Sequence, residues 1–178
     1  GVTYGNNIFM AVGHGGTILT STDGTTWTSR TSGTSKSLLG VSYVNNNFVA
    51  VGASGTILTS SDGTTWTSRT SGTSTLLNGV TYGNNIFVAV GHGGTILTST
   101  DGITWTSRTS GTSKSLLGVS YVNNNFVAVG ASGTILTSSD GTTWTSRTSG
   151  TSTLLNGVTY GNNILVAVGD AGNIVISD

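Results

Sequence analysis

The chain has 178 residues, six basic and six acidic side chains that cancel, and neither cysteine nor proline. That length supports one well-buried domain, and the balanced charge excludes the basic stripe that nucleic acid or an anionic membrane surface would need. Missing cysteine removes disulfides and thiolate chemistry, so packing and sheet pairing must hold the chain together.

Gly1, Gly40, Gly79, Gly118 and Gly157 mark a period of 39 residues, giving units 1–39, 40–78, 79–117 and 118–156 and a partial unit, 157–178. A period of this length signals an array of small structural units and takes precedence over every local signal. Units two and four are identical, and units one and three differ only at Met10/Val88 and Thr25/Ile103. Recent duplication or deliberate construction leaves such near-identity, and the scattered differences lean toward natural amplification. The chain opens inside a repeat without an initiator Met, as a processed or excised fragment would. Glutamate and glutamine are absent, so Thr, Ser, Asn and Gly must make the surface, a composition that leans toward an extracytoplasmic or secreted protein. Apolar runs such as FVAV at 48–51 are too short to span a bilayer, and no basic-then-apolar leader stands at Gly1.

Within each unit the pattern changes at turn signals. GVTY reads as a first strand, and GNN or VNNN as a tight hairpin, because Asn and Gly tolerate the left-handed conformation of primed turns. IFMAV or NFVAV is continuously apolar, as in a strand covered on both faces. GHGG or GASG turns the chain into a third strand, TILTS; DG turns it again into TTWTSRT, an alternating and more polar edge strand. No 11-residue window keeps a helical apolar face. Four short antiparallel strands in about 40 residues match a propeller blade. The expected fold is therefore all-β: a β-propeller of 39-residue four-stranded antiparallel blades, five in number with the last incomplete. A parallel β-solenoid is the competing repeat fold, but its coils lack hairpin turns and strands of distinct character.

The stretch Ser21-Thr22-Asp23-Gly24-Thr25-Thr26-Trp27 resembles the Asp-box, or BNR repeat, in which S-x-D-x-G-x-T-W occupies the hairpin between the third and fourth strands of propeller blades. The match recurs through Ser60, Asp62, Gly63 and Trp66, through Ser99, Asp101, Gly102 and Trp105, and through Ser138, Asp140, Gly141 and Trp144, one residue shorter between Asp and Gly than the family pattern. The resemblance implies a structural turn. Asp accepts bonds from turn amides, Ser closes the same turn, and Trp supplies an apolar face that pins the hairpin to its blade. Sialidases of this kind need clustered arginines and a Tyr/Glu pair, and this chain has no glutamate, so the resemblance implies the fold without the enzyme.

Arg30, Arg69, Arg108 and Arg147 lie on the outer strand of successive units, three residues after each Trp, where a cation stacked on an aromatic is one expected use. They are candidate ligand-binding residues, with His14 and His92. The histidines occupy one turn of units one and three, where units two and four carry Ala53 and Ala131 and unit five Asp170. No catalytic residue, cofactor or metal site is expected, since each unit offers a single acid and calcium takes about six to eight oxygens. The functional expectation is a non-catalytic binding or structural scaffold with a protein or glycan ligand. Repeated Asn, Thr and Trp make a multivalent lectin with one weak site per blade the alternative. The last unit stops after its third strand, which predicts either a five-unit ring with an incomplete blade or a homo-oligomer completed through the fifth unit.

Overall fold

A computed structural model describes residues 1–177. Five antiparallel sheets follow one another along the chain. The first comprises β1 (Val2–Gly5), β2 (Ile8–Val12), β3 (Ile18–Ser21) and β4 (Thr28–Arg30). The second holds β5 (Leu38–Val44), β6 (Asn47–Gly52), β7 (Ile57–Ser60) and β8 (Thr67–Arg69). The third holds β9 (Leu77–Gly83), β10 (Ile86–Gly91), β11 (Ile96–Ser99) and β12 (Thr106–Arg108). The fourth holds β13 (Leu116–Val122), β14 (Asn125–Gly130), β15 (Ile135–Ser138) and β16 (Thr145–Arg147). The fifth has three described strands, β17 (Leu155–Gly161), β18 (Ile164–Gly169) and β19 (Ile174–Ile176). Each sheet is a meander of neighbouring strands, which is the blade of the expected all-β propeller.

The local chemistry explains each turn. Gly5 pairs with Ile8, leaving Asn6 and Asn7 as a two-residue hairpin loop with φ of 50° and 59°, the left-handed pair of a primed turn. The next turn is a single 3₁₀ turn, His14–Gly16, closed by the Thr17 N–H on the His14 carbonyl at 3.1 Å.

Two boundaries differ from the sequence reading. The first strand of blades two to five begins two residues ahead of the repeating glycine, because Leu38, Leu77, Leu116 and Leu155 are fully buried. A bulge between Leu38 and Gly40 lets that strand keep both its leucine and its register with β6. The fourth strand is shorter than expected. In blade one it starts at Thr28, so Trp27 lies in the preceding loop instead of alternating with Arg30 along a strand.

The blades stand side by side with their first strands adjacent in the order β1, β5, β9, β13 and β17. Second strands alternate strictly, so one blade feeds two interfaces. From blade one, Met10, Val12 and Ile18 meet Leu38, Phe48, Ala50 and Leu58 of blade two. From blade two, Val49, Val51 and Ile57 meet Leu77, Phe87, Ala89 and Leu97 of blade three. Equivalent clusters join blades three to four and four to five. None joins blade five to blade one among the described residues. Of the two expected arrangements, a ring closed by a junction of blade five with blade one is not seen among the described residues, and the blades make an open arc with four filled junctions.

Leu116→Ala empties a fully buried junction position and is expected to lower the unfolding free energy by about 2–5 kcal/mol. Lys114→Ala, on the exposed connection beside it, should change it by less than about 0.5 kcal/mol. Urea denaturation followed by tryptophan fluorescence reads both.

Candidate functional site

The recurring Ser-x-Asp-Gly turn is a closed hydrogen-bonded unit. Ser60 Oγ donates to Asp62 Oδ1 at 3.0 Å and accepts the Gly63 N–H at 2.8 Å. The same carboxylate oxygen accepts the Thr64 and Thr65 N–H groups, both at 2.8 Å. Ser21 with Asp23 and Gly24, Ser99 with Asp101 and Gly102, and Ser138 with Asp140 and Gly141 repeat this arrangement. The glycines must be glycine, because φ is 72° to 75° at all four.

Backbone N–H groups lower all four carboxyls, holding Asp23, Asp62 and Asp140 well below the usual carboxylate range. The residue three places on contributes most: Thr26 to Asp23, Thr65 to Asp62, Thr104 to Asp101 and Thr143 to Asp140.

In blades two, three and four the Trp packs beside the Phe of its own second strand, whereas Trp27 of blade one is exposed. The rings of Phe48 and Trp66, Phe87 and Trp105, and Phe126 and Trp144 lie 6.2 to 6.4 Å apart. The indole N–H of Trp105 and of Trp144 donates to the carbonyl of Gly102 and of Gly141. The buried N–H of Trp66 finds no partner.

The arginines do not stack on these rings. Register places Arg30 opposite Ile18, and Arg30 Nε donates to Thr20 Oγ1 at 2.9 Å. Arg69, Arg108 and Arg147 use Thr59, Thr98 and Thr137 in the same way. Arg30, Arg108 and Arg147 line clefts between blades. Between blades one and two, a cleft of about 350 Å³ is lined by Thr20, Asp23, Arg30 and, from the next blade, Asp62 and Thr64. Between blades three and four, Thr98, Arg108, Asp140 and Thr142 line its counterpart, of about 200 Å³. Arg147 lies between blades four and five with Asn123, Tyr160 and Asn163. Arg69 lines a separate cleft with Ser54 and Thr73.

Each cleft therefore combines one fixed cation with hydroxyls, and two of them add a carboxylate across the junction. His14 and His92 are exposed on blades one and three and join none of these clefts; His14 Nδ1 lies 3.0 Å from Ser37 Oγ. No three His, Asp, Glu or Cys side chains gather as a metal would require among the described residues. Sequence reasoning missed the threonine partners and the cleft that Arg30 shares with Asp62 of the neighbouring unit. The threonine was discoverable, since TILTS and TSR keep a constant ten-residue offset from Thr to Arg in four units.

Open blades of this geometry define the class as β-propeller. No protein-family model matches the chain, and no curated protein matches it either. Solved structures do. The chain is similar to YCF48 bound to D1 peptide, with 21% identity and a TM-score of 0.74, covering 98% of this chain and 60% of that one. It is similar to the computationally designed Ika8 protein, with 19% identity and a TM-score of 0.78, over 98% of this chain and 56% of the other. The WD40 propeller domain of Doa1 matches at 14% identity with a TM-score of 0.72, over 99% and 64%. These likenesses are of fold, and the chain spans about three-fifths of the length of each.

Two outcomes follow from the turn. Each depressed carboxyl adds stability that is complete above its ordinary unfolded pKa of about 4 and is lost as the pH falls toward its lower folded value. Urea midpoints should accordingly drop below about pH 4, with a flatter acid limb in a variant carrying Asn at 23, 62, 101 and 140. Separately, Ser60→Ala strips the buried Gly63 N–H of its acceptor and should cost about 1–3 kcal/mol in the same assay.

Proposed function

We infer that the protein is a non-catalytic binding propeller whose clefts between blades take an extended segment of a partner protein. The observation that carries this reading is the recurrence, 78 residues apart, of one cleft built from a threonine-anchored arginine and a carboxylate of the next blade: Arg30 with Asp62, and Arg108 with Asp140. A cation and an anion held across one junction suit the alternating donors and acceptors of a peptide backbone and its polar side chains. The arginine spends one N–H on its threonine, so its fork is pre-oriented and loses little freedom on binding.

The Ser-Asp-Gly-Trp turns serve the blade as structural Asp-boxes. Their carboxyls stay ionised at neutral pH and are poor proton donors, which supports a binding role over acid catalysis. A propeller neighbour solved with a bound peptide supports a protein segment as the ligand class.

The reading is tested by screening the chain against an array of random dodecapeptides and titrating the strongest hits by calorimetry. Arg30→Ala with Arg108→Ala should weaken those hits at least about tenfold while leaving the thermal midpoint within a few degrees. Absence of any peptide binding at millimolar concentration, or binding that survives both substitutions, would sink it.

A further inference from the structure

The described residues leave nine large apolar side chains exposed, and eight of them lie on two faces: Val2, Tyr4, Phe9 and Trp27 on blade one, and Ile164, Val168, Ile174 and Ile176 on blade five. Neither set is arbitrary. Tyr4, Phe9 and Trp27 occupy in blade one the places of Tyr43, Phe48 and Trp66 in blade two, which pack against blade one. Ile164, Val168 and Ile174 occupy the places of Ile8, Val12 and Ile18, which form the other side of that same junction. The two bare faces are the two halves of the interface that joins blade one to two and blade three to four.

The glycines give an independent measure of fit. A Cβ on Gly5 would overlap the Tyr43 ring, and one on Gly83 would overlap Tyr121, so each glycine is a socket for the tyrosine of the following blade. Gly161 holds the same place in blade five, and nothing stands within 4 Å of its Cβ position. Tyr4, the tyrosine without a socket, is 57% exposed. The turn glycines repeat the lesson. Gly63 and Gly141 lie against Ile8 and Ile86 of the preceding blade, but Gly24 touches only the Phe9 of its own.

We propose that blade one of a second copy of this chain seats on blade five, placing Tyr4 in the Gly161 socket and Ile164 and Ile174 beneath its Phe9 and Trp27. The contact repeats, place for place, the junctions of blade one with two and of blade three with four, and it covers apolar surface of both faces. It is heterologous, with the two faces different, so association propagates head to tail until a ring closes or a filament forms.

Light scattering and native mass spectrometry of the chain over a range of concentrations test this. The wild type should populate multiples of its 17.9 kDa mass. Tyr4→Glu and Ile174→Glu each alter an exposed side chain, so each should fold, confirmed by circular dichroism, and should weaken association by about 30-fold or more. Gly161→Leu, which plugs the socket without touching any neighbour, should do the same should either glutamate variant misfold. Mixing Tyr4→Glu with Ile174→Glu restores one intact face of each kind, so a dimer-sized species should reappear. A wild type that stays monomeric at several hundred micromolar overturns the proposal. So does association that survives both substitutions, which would point to pairing along the β19 edge instead.

Discussion

No blade in this molecule buries its own apolar surface; each can do so only against the next. The second strand presents Phe and Ala to one side and Ile or Val to the other, so an isolated blade would leave both faces wet. Stability therefore resides in the junctions, as in other quasi-one-dimensional arrays. The inner glycines set how closely blades approach. A Cβ on Gly40 or Gly118 would stand about 3 Å from the backbone of the next first strand, closer than ordinary contact. Small residues at the axis and aromatic ladders farther out, such as Tyr82, Phe87 and Trp105, together give each junction its wedge shape.

Much of this was legible in the residues. The 39-residue period, the Asn-Asn hairpins and the doubly covered second strand led directly to four-stranded blades, because turn chemistry and alternation are local properties. What lay beyond local reasoning was set by neighbours. Leu38 reads as part of a connection, yet burial against blade one draws it into β5. Trp27 reads as part of the TTWTSRT strand, but the hydrogen bonds of the Asp23 turn run on to Thr26 and hold the chain out of the ladder until Thr28. Whether the arc closes could not be read at all, since nearly identical units carry no signal of ring number; only the bare Val2 and Ile174 reveal it. The clefts were half legible. Arg30 stood out by repetition, whereas Asp62 joins it only through the packing of one blade on another.

The architecture separates two tasks. Inner and second strands carry the packing, and almost any change there meets a neighbouring backbone or ring. The fourth strand faces solvent with Thr, Ser and Arg, held by a ladder of only three residues and an arginine-to-threonine bond. Substitutions on this outer rim leave the junctions intact, so recognition chemistry can change there at small cost to the fold. Near-identity of the units also means that a cleft present at one junction recurs at another, and weak contacts can add along the arc.

Amide hydrogen exchange, measured at a dilution where the chain is monomeric, tests the central claim that stability is built junction by junction in an open arc. The account predicts that the amides of β6, β10 and β14, each flanked by two junctions, exchange more slowly than those of β2 and β18, each flanked by one. Equal protection of β2, β10 and β18 in the monomer would contradict it, because that result requires blades one and five to pack against each other.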